Sequence, residues 1–243
     1  MISIIGLGWF GSALARDLLP AHQVLGTTRS PEKLKDLSDM GVQIFELNSN
    51  LLPAPELMKS SVIVINIPPF EGQLEWFKKW NLQTQSHLIF ISSTSVYGED
   101  QFVAEESLEP TPESVGGKIL KDEEEWVRTF PQHTIIRFGG LLGSDRHPGK
   151  YLSGRSGINH GSWPVNLVHQ DDCVGFIRLC IEKSITGTFN LVSDDHRSRQ
   201  EFYTDYCRKK GLALPEFNAD KSQGKIVSNQ KAKSIYQFKH NKL

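Results

Sequence analysis

The chain has 243 residues, 27 Lys and Arg against 28 Asp and Glu, and a formal net charge of −1. That length suits one α/β domain, or one domain with a small appended lobe, whose core needs no disulfide or metal. A charge this close to zero gives no electrostatic case for nucleic acid or an anionic membrane as partner. The three cysteines, Cys173, Cys180 and Cys207, are few, odd in number and outside metal-ligand spacing, which reads as reduced thiols in a cytoplasmic protein. No charged leader precedes the first apolar run, and no run reaches the about 18 residues of a membrane span.

In chain order, Ile2 to Ile5 predicts a strand. Gly6-Leu-Gly-Trp-Phe-Gly11 follows, and then a helix with Leu14, Leu18 and Leu19 that ends at Pro20. Gln23 to Thr28 is a second strand. Pro31 opens a helix with Leu34 and Leu37 on one face, and Gly41 follows its end. Val42 to Leu47 is a third strand. Val62 to Ile67 is a fourth, nearly all apolar and so buried on both faces. A helix is expected around Leu74 to Leu82, a fifth strand over His87 to Ser92, a helix over Glu113 to Phe130 and a sixth strand over His133 to Phe138. Strands alternating with helices predict a parallel, doubly wound α/β sheet of Rossmann type. After Gly139 the pattern changes to a stretch rich in Gly, Pro, Arg and His. It is followed by a helix from Asp172 to Glu182 capped by Asp171 or Asp172, a strand from Gly187 to Val192, a helix from Arg199 to Lys210 and a polar tail. The expected division is residues 1–140 as a dinucleotide-binding domain and 141–243 as a small substrate lobe, interleaved with the last strand and helices of the sheet.

Gly6, Gly8 and Gly11 form Gly-x-Gly-x-x-Gly between a strand and a helix, the context in which the pattern marks a dinucleotide site. The first glycine permits the tight turn, the second lets backbone approach a pyrophosphate, and the third lets helix and strand pack. Trp9 and Phe10 lie inside the motif. The end of the second strand reads Gly26-Thr-Thr-Arg-Ser30, without the acid that bonds the ribose hydroxyls in NAD sites. Arg29 there suits a 2′-phosphate, with Thr28 and Ser30 as donors, so NADP is favoured over NAD; the alternative is a solvated surface cation. Asn66-Ile-Pro-Pro69 follows the fourth strand, where ribose and nicotinamide lie in such folds. Asn66 and Pro68 are therefore cofactor candidates, or parts of a rigid loop.

Leu88-Ile-Phe-Ile-Ser-Ser-Thr-Ser-Val-Tyr-Gly98 carries four consecutive hydroxyl residues at a strand end. This run resembles the strand-end motif of the extended short-chain dehydrogenases, the family of nucleotide-sugar epimerases and dehydratases. Val165-Asn-Leu-Val-His-Gln-Asp-Asp172 and Thr188-Phe-Asn-Leu-Val-Ser-Asp-Asp195 extend the resemblance over nearly the whole chain. The resemblance makes Ser93 the residue that polarises the substrate. It also calls for Tyr-x-x-x-Lys as acid/base, yet the matching positions hold Gly116 and Leu120. Tyr97, Lys118 and Lys121 are the remaining candidates for proton transfer. It further implies that arginines of the lobe hold an anionic substrate, with Arg146 and Arg155 first. No metal is expected, and a homodimer through the helix from Glu113 is. The implied function is an NADP-binding oxidoreductase or epimerase-like enzyme acting on a small, phosphorylated or nucleotide-linked sugar. Two alternatives stand beside it: a non-catalytic NADP-binding sensor, and a reductase like the β-hydroxyacid dehydrogenases.

Overall fold

The computed structural model describes residues 1–83, 85–99, 101–143, 145–219 and 222–243. The first half runs β1 (Ile2–Ile5), α1 (Trp9–Leu18), β2 (Val24–Thr28), α2 (Lys35–Asp39), β3 (Gln43–Glu46), α3 (Pro55–Met58), β4 (Val62–Ile65), α4 (Gln73–Phe77) and β5 (His87–Ser93). It continues through β6 (Val103–Ala104), α5 (Val115–Val127), β7 (His133–Phe138), β8 (Gly140–Leu142), α6 (Gly149–Leu152) and β9 (Leu167–His169). The chain ends with α7 (Gln170–Lys183), β10 (Gly187–Leu191), α8 (Arg199–Lys209), β11 (Ile226–Val227) and α9 (Gln230–Lys233).

Seven strands form one parallel sheet in the order β10-β7-β5-β4-β1-β2-β3. The apolar runs sort onto its two faces with a period of two, as a pleated strand requires. Ile89 and Ile91 join one core with α1 and α7, while Leu88 and Phe90 join the other with α4 and α5. The strand order reverses between β1 and β4, so their carboxyl ends open the crevice where such sheets bind ligands. The lobe is built from the β8·β9 pair and from α6 packed on α8, over Leu142, Val165, Leu167, Phe202 and Tyr203. From the same half of the chain, α7 and β10 return to the main sheet.

Several expected elements change length. The helix of Leu74 to Leu82 stops at Phe77, and Trp76, Phe77 and Trp80 fold together, with Phe77 stacked on Trp126. The helix expected from Pro31 begins as a 3-10 turn before α2. Neither Asp171 nor Asp172 caps α7. His169 does, its Nδ1 accepting from the Asp171 N–H. Asp172 is instead buried and accepts the backbone N–H groups of Lys239 (2.7 Å) and His240 (3.0 Å), which ties the tail to the domain. The tail is structured elsewhere too, since β11 pairs with β6.

On α5, Glu123 is fully buried and its carboxylate oxygens find no hydrogen-bond partner among the described residues. Burial, with a smaller push from Asp122, raises its pKa from 4.5 to about 8. The folded state therefore keeps a proton that the unfolded chain releases across that window. The contribution of Glu123 to stability is greatest below about pH 4.5 and falls as pH rises towards 8, at about 1.4 kcal/mol per unit. Glu123→Gln is expected to remove this slope and to gain about 3 kcal/mol at pH 7. Thermal or urea unfolding of both proteins from pH 5 to 8 measures it, and parallel pH profiles would refute the assignment.

Candidate functional site

The crevice begins at the glycine turn. Gly6 has φ +113°, and a Cβ there would lie 2.2 Å from the Asn66 carbonyl oxygen. A Cβ on Gly11 would lie 2.1 Å from the Gly6 carbonyl oxygen. Both glycines are therefore steric requirements of the turn. The Gly6 N–H donates to Thr27 Oγ1 (3.0 Å) and the Leu7 N–H to the Thr27 carbonyl (2.6 Å). Asn66 Nδ2 donates to the Gly6 carbonyl (3.0 Å). Thr27 and Asn66 thus brace the turn from β2 and β4.

Gly8 is different, because nothing lies within 4 Å of the position its Cβ would take. It starts α1 without a side-chain cap, and the first bond of the helix is from the Ser12 N–H to the Gly8 carbonyl. The N–H groups of the first turn are left facing the opening, with the positive end of the helix dipole. This is a fit for a pyrophosphate: open space, free donors and no competing acid in the first turn. Phe10 contributes backbone only, since its ring is buried edge-on against Phe138. The Trp9 indole also points elsewhere, donating to Asp145 of the lobe (3.0 and 3.2 Å).

At the end of β2, Arg29 is exposed and has no ion-pair partner among the described residues. Thr28 Oγ1 accepts from the Ser30 N–H (3.3 Å), which shapes the strand end around it.

The hydroxyl run at the end of β5 divides its roles. Ser92 is buried and donates to Glu124 Oε1 (2.7 Å). Ser93 is half-buried and accepts from the Ser95 N–H (3.1 Å), capping a 3-10 turn over Thr94–Val96. Its own proton is not used in that bond. Tyr97 is buried, and its hydroxyl donates to Asn190 Oδ1 (2.9 Å) while accepting from Arg137 Nη1 (2.7 Å). Burial raises its pKa against the pull of Arg137, which is the reverse of what a neutral-pH proton donor needs. Tyr97 is a structural residue in this geometry.

The network behind it was not legible beforehand. Arg137, on β7, forks onto Glu124 through Nε (2.9 Å) and Nη2 (2.6 Å), and Arg128 adds a further bond to Glu124 (2.9 Å). Burial works against the charge on Arg137, but Glu124 and Tyr97 hold its pKa above the ordinary guanidinium range. Asn190 extends the chain to the Ser228 carbonyl of the tail (3.1 Å). A cation inside the apolar strand His-Thr-Ile-Ile-Arg-Phe138 was the available signal, because a buried charge has to be paired.

The start of α5 closes this side. Ser114 caps the helix through the Gly117 N–H (3.1 Å). A Cβ on Gly117 would lie 2.5 Å from the Ser95 carbonyl oxygen, and one on Gly116 would lie 3.4 Å from Pro69 Cγ. The structure therefore brings the hydroxyl turn, the Pro68–Pro69 loop and Gly116 to one place. Leu120 is buried in the core. Lys121 is occupied by Glu109 (2.6 Å) and the Pro110 carbonyl (3.0 Å), and Lys118 is exposed on α5. A lysine that the sequence reading missed, Lys225, reaches in from the tail and donates to the Tyr97 carbonyl, and burial lowers its pKa. Asn166 holds that segment, donating to the Lys225 carbonyl (2.8 Å) and accepting from the Val227 N–H (2.9 Å).

The two lobe arginines do not form one group. The Arg146 guanidinium lies 5.1 Å over the ring of Trp9, the residue after Gly8. Arg155 is exposed, and its carbonyl accepts from the Glu216 N–H (2.8 Å). Lys150 and Lys210 instead share a groove with His147, Ser153 and Tyr206. Burial, aided by those two lysines, lowers the His147 pKa to about 4, so its ring is neutral at pH 7 as it stacks on Tyr206. His169, Asp171 and His240 also approach one another, but the two imidazoles stack face to face at 3.9 Å, so their in-plane lone pairs run side by side. No helix among the described residues is long and apolar enough to cross a membrane.

With this geometry in hand, relatives can be placed. Protein YeeZ of Escherichia coli (strain K12) is 30% identical over 252 aligned positions, covering 95% of this chain and 92% of that protein. The chain belongs to the YeeZ family. Residues 1–93 of this YeeZ relative match the family model described as NADP oxidoreductase, coenzyme F420-dependent. Among solved structures, the UDP-glucuronic acid 4-epimerase from Bacillus cereus in complex with NAD superposes with a TM-score of 0.77 at 20% identity, covering 98% of this chain and 90% of that one. MoeE5 in complex with UDP-glucose and NAD gives 0.76 at 18%, covering 98% and 92%. The fold is thus the Rossmann-like α/β fold of NAD-dependent epimerases, seven parallel strands included.

Proposed function

We propose that the chain is an NADP-binding oxidoreductase of the extended short-chain dehydrogenase type, acting on a small anionic substrate such as a phosphorylated or nucleotide-linked sugar. The observation that carries this reading is the glycine turn: Gly8 faces open space, α1 has no side-chain cap, and Arg29 is exposed at the end of β2 with no ion-pair partner among the described residues. The family model over residues 1–93 and the NAD carried by two structural neighbours support it. Bound there, the nicotinamide supplies hydride chemistry. Thr27 and Asn66 keep the turn in shape, and Ser93, with its proton free, orients the reacting oxygen. The groove of Lys150 and Lys210 offers the lobe's positive potential to an anionic substrate.

A second reading, an NADP-binding sensor without turnover, draws on one observation. Gly116 and Leu120 hold the positions of the acid/base pair, and Tyr97 is locked in the buried network. The test of the cofactor reading is calorimetric titration with NADPH and NADH, before and after Arg29→Ala. NADPH is expected to bind more tightly, and Arg29→Ala to weaken NADPH alone, by roughly ten- to a hundredfold. Equal affinities in the unmutated protein would remove the 2′-phosphate assignment.

A further inference from the structure

Trp9 is the first residue of α1, directly after Gly8, and the lobe is fitted around its indole. Gly143 is what admits the ring: a Cβ there would lie 2.5 Å from Trp9 Cζ2. Gly143 and Arg146 exchange two backbone hydrogen bonds (2.9 and 3.2 Å), which fixes the loop that carries Asp145. Asp145 takes the indole N–H with both carboxylate oxygens. From the other side, Gln170 Nε2 at the start of α7 donates to the Trp9 carbonyl (3.3 Å). Arg146, otherwise exposed, is laid across the ring as a cation over an aromatic face.

This arrangement costs side-chain freedom at an exposed arginine, where a cation–π contact returns little. A second consequence is positional. The stack lays a guanidinium on the side chain that directly follows Gly8, from an element of the lobe rather than of the domain that owns the turn. The Asp145 carboxylate, the one negative group of the loop, is turned onto the indole, and Lys150 Nζ donates to the Asp145 carbonyl (3.2 Å), adding positive potential.

We propose that Arg146, stacked on Trp9, is a ligand of the dinucleotide's pyrophosphate and fastens the lobe over the glycine turn. This rests on the cofactor reading above, and it takes Arg146 out of the separate substrate-anion site that the sequence suggests. The planar fork of arginine matches two phosphate oxygens, and the ring holds that fork in place before the ligand arrives. Because the pyrophosphate is common to both dinucleotides, Arg146 acts on NADPH and NADH alike, whereas Arg29 acts on the 2′-phosphate alone.

The experiment is calorimetric titration of NADPH and NADH into the unmutated protein, Arg146→Ala, Arg146→Lys and Trp9→Phe, with thermal unfolding recorded for each. Arg146→Ala is expected to weaken both dinucleotides by the same factor, roughly ten- to a hundredfold. Arg146→Lys is expected to recover part of that loss. Trp9→Phe, which keeps a ring and removes the indole N–H, is expected to weaken both by a smaller common factor. Unchanged affinities in Arg146→Ala overturn the proposal and leave the cofactor reading standing. A loss confined to NADPH overturns it as well, by moving Arg146 to the 2′-phosphate. If the unmutated protein binds neither dinucleotide, the cofactor reading fails and this proposal falls with it.

Discussion

Gly8→Val is expected to weaken NADPH binding at least roughly a hundredfold while leaving the fold in place. The three glycines of the motif are separated by what surrounds them. At Gly6 and Gly11 any side chain collides with backbone, so substitution there damages the protein before it tests binding. At Gly8 the space is open, φ is −79° and a valine meets no protein atom within 4 Å of its Cβ. Its branches occupy the volume that a pyrophosphate needs to reach the free N–H groups of α1. Unfolding should shift by about 1 kcal/mol or less, the usual scale of a change at a helix N-cap. Titration with NADPH, paired with a melting curve, checks both halves. A Gly8→Val protein that melts normally and binds NADPH as before would show that this turn does not hold the nucleotide.

Arg137→Met is expected to cost about 3 kcal/mol of stability, because it takes from Glu124, buried beside Ser92, the partner that bonds both its oxygens and leaves it only the partly exposed Arg128. Tyr97 also loses a donor, and the turn that carries Ser93 loses the anchor beneath it. The double variant Arg137→Met/Glu124→Leu should regain much of that loss, since both buried charges are gone and the remaining Arg128 reaches solvent. Urea unfolding of the single and double variants measures it. A single variant that loses less than about 1 kcal/mol, or a double variant no better than the single, contradicts this account of the network.

Much of the sheet was readable because its cues are local. Val62–Ile65 and Leu88–Ile91 are apolar runs bounded by polar or turn residues, and glycine or proline punctuates most of the connections. The two- and three-residue strands β6, β8, β9 and β11 carry no periodicity to read, and the tail's attachment depends on Asp172 bonding chain 67 and 68 residues away. The same limit applies to the site. Gly6, Gly8 and Gly11 form a strand-to-helix turn, Asn66 bonds the Gly6 carbonyl and Arg29 is exposed after β2, all from local cues. The Trp9 indole bonds Asp145 and carries Arg146 on its face, a contact between the turn and the lobe that spans 136 residues and has no local cue. Tyr97 looked open to chemistry until Arg137 and Asn190, 40 and 93 residues away, enclosed its hydroxyl. Lys225, 128 residues from the carbonyl it bonds, belongs to a stretch whose composition reads only as a polar tail.

The central claim is that a dinucleotide lies across the glycine turn. A crystal structure of the unmutated protein grown with saturating NADPH tests it most directly. The account predicts a pyrophosphate over Gly8 against the N–H groups that open α1, the 2′-phosphate on Arg29 and the Arg146 guanidinium on the phosphate oxygens. Dinucleotide density at any other place, or an empty turn at saturating NADPH, would contradict it.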